Sequence, residues 1–106
     1  MSILEKAVSH FSSKEIRTLE VPEWECTLYS KNLTLEDKAK WVARSDGDST
    51  LYLVYAVIFG VTDKDGEPVF TIGDKTKLMK AVDPEVLSKV ANFVLVNQDP
   101  EELEKN

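Results

Sequence analysis

Apolar and polar positions along this chain change period several times, and each change marks an element. Ile3, Leu4, Ala7, Val8 and Phe11 recur at the three-and-four spacing of one helical face. Ser2 stands ahead of them with Glu5 three residues on, the pattern of a capping box. Residues 15 to 21 and 24 to 30 read as two strands broken at Pro22, which lacks the N–H that a sheet ladder needs. In the second strand Trp24, Cys26 and Leu28 alternate with Glu23, Glu25, Thr27 and Tyr29, so the first set is expected to face inward.

A second helix follows, opened at Asn32 to Thr34, with Thr34 as N-cap and Glu36 and Asp37 favourable in its first turn. Leu35, Ala39 and Val42 form its expected buried face. The polar run from Ser45 to Ser49 ends it. Thr50 to Thr62 is the most apolar segment, running Leu51, Tyr52, Leu53, Val54, Tyr55, Ala56, Val57, Ile58, Phe59. Its length admits a helix, but its aromatic and β-branched residues favour a strand covered on both faces.

Asp63-Lys64-Asp65-Gly66 turns the chain, and Pro68, Val69 and Phe70 are expected to return as a short strand. Asp74 is placed to cap a short helix through about Val82. Asp83 caps a last helix with Pro84 at its first position, where the missing N–H is harmless. Leu87, Val90, Ala91, Val94 and Leu95 give that helix the cleanest apolar stripe in the chain. The expected fold is a single α+β domain over residues 1–98. It has a small antiparallel or mixed sheet of about four strands, packed by about four helices. Residues 99–106 form an acidic tail expected to fray, with Leu103 able to dock.

Composition narrows the function classes. A length of 106 residues suits one domain with a modest core, and 42% hydrophobic content is too apolar for full disorder. The net charge of −6 argues against nucleic acid as a partner, because phosphate neutralisation dominates that affinity. The longest apolar run, Leu51 to Val61, is too short to span a bilayer. With no secretion signal and one cysteine, the expected location is the cytoplasm. That cysteine, Cys26, reads as a small apolar residue on the inward side of its strand.

The residues offer no catalytic constellation. His10, the sole histidine, lies toward the polar side of the first helix and reads as a surface residue. Asp63 and Asp65 resemble part of a calcium loop, but Val61 and Ile72 occupy places where that loop needs acids, so the segment reads as a turn. Asp46 and Asp48 have their glycine between them, which fits no such loop. Lys75, Lys77 and Lys80 read as the solvated face of a short helix. Neither a nucleophile elbow nor a phosphate-cradling glycine loop occurs. No catalytic, cofactor or metal residues are therefore assigned.

What remains is recognition, and the order of short motifs is informative. A strand ending Val21-Pro22-Glu23-Trp24, then Thr27-Leu28-Tyr29, then the helix start Leu33-Thr34-Leu35-Glu36-Asp37 resembles tail assembly chaperones of long-tailed bacteriophages and prophages. The run from Val61 through Asp63-Lys64-Asp65-Gly66 to Thr71 looks like the same family, as do Asp74 and the last helix reaching Val96-Asn97. The likeness spans about residue 16 to residue 106. Family members often carry glycine after the tryptophan, where Glu25 and Cys26 stand here, and Asn-Gly where this chain has Asn97-Gln98.

The resemblance implies a non-enzymatic assembly factor of the host cytoplasm that uses no cofactor. Such factors coat the tape measure protein, keep it soluble and recruit tail tube subunits, then leave before the virion is complete. It also implies a longer form made by ribosomal frameshift. The alternatives are a structural minor tail protein retained in the virion and a cellular protein-interaction adaptor. Aromatic residues beyond the needs of a core are the interaction candidates: Trp24, Tyr29, Trp41 and Tyr52, with Trp41 expected to be partly exposed. Core packing is the competing role for each. Edge strands near Pro22 offer a route to self-association.

Overall fold

The computed structural model describes residues 2–98, so the acidic tail lies outside the described residues. Those residues form five α-helices, two short 3-10 turns and a three-stranded sheet. The α+β class agrees with the sequence. The strand count is three rather than about four.

Helix α1 spans Ile3–Ser12, with the Ser2 hydroxyl accepting from the Glu5 backbone N–H at 3.1 Å. Strand β1, Thr18–Val21, pairs antiparallel with β2, Cys26–Ser30, setting Leu19 opposite Leu28 and Val21 opposite Cys26. The second strand begins at Cys26, two residues later than the expected start at residue 24. Pro22–Trp24 makes a single 3-10 turn, and Glu25 adopts the left-handed conformation at φ 52°, donating its N–H to the Pro22 carbonyl. Trp24 thereby leaves the strand alternation altogether. Cys26, the first residue of β2, is exposed rather than inward; Leu28 and Ser30 are the buried members of that register.

Helix α2, Leu35–Ser45, starts on the expected cap: Thr34 Oγ1 accepts from the Asp37 N–H, and the Asp37 carboxylate accepts from the Thr34 N–H. Its buried face is not the expected one. Leu35 is 85% and Val42 58% exposed, and Ala39 is exposed too. Trp41 and Ser45, one turn apart, face the core instead. A tryptophan removes far more apolar area from water than a leucine–alanine–valine edge, so it sets the rotation of the helix.

Asp37 also carries a pH-dependent contribution to stability. Partial burial raises its pKa, but the two bonds with Thr34 and the Lys31 ammonium at 3.6 Å outweigh this and hold it below the ordinary value. The folded pKa is thus below the unfolded one, so the contribution is complete above about pH 4 and is lost as pH falls through the folded pKa. Asp37→Asn is therefore expected to destabilise the fold at pH 7, with the gap to the parent closing in urea titrations below about pH 4. A gap independent of pH would contradict the assignment.

Residues 49–60 overturn the expected buried strand: they are helix α3, Ser49–Gly60. Asp48 decides the matter by capping it, with its Oδ1 accepting from the N–H groups of Thr50 and Leu51 at 2.8 and 3.0 Å. A helix apolar on all sides is stable only when surrounded. Here α2, α4 and α5 pack against it, and Val54 to Ile58 are all buried. Strand β3, Val61–Thr62, leaves its end and pairs with Tyr29 and Ser30 at the sheet edge.

The turn at Asp63 is as expected: its Oδ1 accepts from the N–H groups of Asp65 and Glu67, and Gly66 sits at φ +83°. The chain does not return as a full strand. Thr62 and Pro68 form one bridge, and Pro68 has no N–H to extend it. A 3-10 turn at Ile72–Asp74 leads to α4, Lys75–Lys80. Asp74 closes on Thr71 behind it and does not cap α4. The last helix, α5, spans Pro84–Gln98, with Asp83 Oδ1 accepting from the Glu85 N–H. Val90, Ala91 and Val94 from the predicted stripe are buried, joined by Val86 and Phe93.

Candidate interaction surface

The four aromatic candidates separate once placed on the fold. Trp41 is only 3% exposed; its Nε1–H donates to the Tyr52 carbonyl at 2.8 Å, and its ring stacks on the Tyr52 ring at 4.7 Å. It joins α2 to α3 and presents almost nothing to a partner, contrary to the expected partial exposure. Tyr52 covers it from outside and is 38% exposed. Trp24 is half-buried, edge-on to Phe70 with ring centroids 6.2 Å apart. Tyr29 is half-buried in β2, opposite Thr18 on one side and Thr62 on the other. The fold brings Trp41 and Tyr52 together and leaves Trp24 and Tyr29 at the sheet.

The apolar face that the sequence pattern gives α1 is exposed. Ile3 and Leu4 are 78% and 74% exposed, Val8 59%, and no residue of α1 is buried. The helical periodicity of this segment was legible; its destination was not. A stripe that packs inward and one that waits for a partner have the same spacing. Ile16 and Leu35 are also exposed, and just past α1 the Asn32 side chain donates to the Lys14 carbonyl.

Two apolar grooves open on the body. One, of about 320 Å³, lies between α3 and the α4–α5 junction and is lined by Leu53, Val54, Leu78, Met79, Val82 and Leu87. The other, of about 260 Å³, lies beside the end of α3 and is lined by Ile58, Phe59, Val61, Pro68, Phe70 and Ile72. Lys31 and Gly66 also line this second groove.

Among the described residues no set of three or more acidic, histidine or cysteine side chains is grouped to hold a metal ion. No helix among them is long and apolar enough to cross a membrane. The arrangement is suited to recognition: apolar side chains exposed on a stable frame, interspersed with charges.

No family model matches the sequence, and no curated protein sequence matches it. Among solved structures, the chain is similar to the tail assembly chaperone of bacteriophage HK97, with a TM-score of 0.60 and 21% identity. The match covers 86% of this chain and 92% of that one. The two share a fold.

Proposed function

We propose that this chain is a bacteriophage tail assembly chaperone, acting by binding rather than by catalysis. The observation that carries the reading is convergence. The order of short motifs from Val21 to Asn97 resembles that family, and the chain shares its fold with a protein of that function across 86% of its length.

The surface chemistry supports it. The client of such a chaperone is the tape measure protein, whose long helices present apolar stripes before assembly. Holding them requires apolar side chains at the surface and enough charge to keep the empty chaperone soluble. Leu4, Val8 and Tyr52 supply the first, and a net charge of −6 the second. Trp24 and Tyr29 join Tyr52 as candidate contacts, and Trp41 acts by holding Tyr52 in place. Recruitment of the tail tube protein, work in the host cytoplasm and departure before the virion is finished complete the reading.

Co-expression with a cognate tape measure protein tests the proposal. The tape measure protein is expected to shift from the insoluble to the soluble fraction and to co-purify with this chain. Failure to associate at any salt concentration would overturn the reading. Recovery of the polypeptide from purified virions would identify a structural tail protein instead.

A further inference from the structure

We propose that the client docks in the groove between α3 and the α4–α5 junction, as an amphipathic helix with an acidic residue beside its apolar stripe. This rests on the chaperone reading above and adds to it the site and the form in which the client is held. Three helices wall the groove: α3 with Leu53 and Val54, α4 with Leu78, Met79 and Lys80, and α5 with Leu87. A helix as apolar as α3 needs cover on every side. Yet Leu53 and Leu87 are only half-buried, and Met79 is 42% exposed. Apolar side chains from three elements are thus left incompletely covered at one place.

The lining decides the form of the occupant. Its polar side chains besides Lys80 are the hydroxyls of Thr50 and Ser88, and Pro84 has no N–H to offer. The Thr50 N–H is already bonded to Asp48. The walls are helices, whose backbone groups bond along their own axes. An extended peptide laid here would lose water from its backbone and find few partners, a cost repeated at each unpaired group. A helix arrives with those bonds made, and its side chains at i, i+3, i+4 and i+7 can seat in such a groove. Met79 suits a long client, because an unbranched, polarisable side chain adapts to residues of different shape.

Charge narrows the choice. Among the described residues, Lys80 is the one charged member of the lining. Residues 75–88 hold Lys75, Lys77 and Lys80 against Asp83 and Glu85, a net +1, which leaves −7 on the rest of the chain. Asp83 is turned to its own helix start, where it accepts from the Glu85 N–H at 2.8 Å. An acidic client helix is therefore repelled by most of the body and accepted beside α4, which fixes where it lies.

Co-expression with a cognate tape measure protein, scored by the amount retained on the affinity-purified chain, tests the site. Met79→Asp should lower retention at least about tenfold. Lys80→Glu should lower it several-fold at low salt and little at high salt, since an exposed charge is screened. Met79→Leu preserves size and apolarity and should bind like the parent. Val69→Asp, at a site 39% exposed but outside the groove, should also bind like the parent. All three positions are exposed, so thermal melts should show every variant folded. A parent that retains no client overturns the chaperone reading, and this site with it. A parent that binds, with Met79→Asp and Lys80→Glu binding equally well, overturns the site alone. Equal loss in Val69→Asp would do the same, since any exposed apolar residue would then serve. If Met79→Asp altered the sedimentation of the chain by itself and left retention unchanged, the groove would belong to a second copy instead.

Discussion

Trp41→Ala is expected to remove about 3–5 kcal/mol of stability, the range for truncating a large buried aromatic residue. For a domain whose total lies near 5–15 kcal/mol this is a large fraction of the whole. Three contributions are lost together. The indole is 3% exposed, it stacks on Tyr52, and its N–H bonds the Tyr52 carbonyl at 2.8 Å. Trp41→Phe keeps most of the packing and should cost only about 1–2 kcal/mol. Urea titration with far-ultraviolet circular dichroism measures both. If Trp41→Ala melted within a degree or two of the parent while client association disappeared, Trp41 would be a contact residue after all.

The second large effect is expected at Gly60. A Cβ built there would lie 2.4 Å from Val94 Cγ1 and 3.1 Å from Cγ2, well inside contact distance. Alanine is a better helix former than glycine by up to about 1 kcal/mol, and this favours substitution. At the last residue of α3 that gain is smaller, and overpacking of about 1–3 kcal/mol outweighs it. Valine 94 cannot swing aside, because β-branching restricts it to few rotamers on α5. Gly60→Ala should therefore lower stability by about 1–2 kcal/mol and the melting temperature by several degrees. Val94→Ala creates the missing space. The double variant should be at least about 1 kcal/mol more stable than the sum of the single effects predicts. Additive effects would mean that the two helices separate freely at this point.

Much of the fold was legible because local chemistry specifies it. The caps at Ser2, Thr34 and Asp83 mark helix starts with side-chain acceptors, and all three accept backbone N–H bonds in the structure. The Asp63–Gly66 turn needs a short acceptor and a glycine free to adopt positive φ, and both are in place. The error at α3 has a definite cause. A segment apolar on every side shows neither the helical nor the strand period, which leaves propensity alone, and that favours a strand. Asp48, directly before the run, held the missing signal. A capping acceptor ahead of a dozen residues outweighs β-branching when neighbouring helices can surround the segment.

The interaction surface was less legible, for a different reason. Sequence pattern shows which residues share a face but not what that face meets. For α1 the spacing gives the face but not its exposure; for α2 one tryptophan outweighs the three smaller residues around it. Cys26 failed more simply. Alternation places it on the side of Leu28, but at the first residue of β2, next to the turn at Pro22–Trp24, it is exposed.

The burial of α3 has a consequence for how the protein is made. One wall of its enclosure is α5, the last element of the described chain. A ribosome delivers residues 49–60 well before residues 84–98, so for that interval the nascent chain holds its most water-averse segment without a cover. Folding of α3 waits for α5 to emerge, and a product released at residue 83 would expose the face of α3 that α5 covers. A protein proposed to shelter the apolar helices of another thus passes, during its own synthesis, through the same predicament.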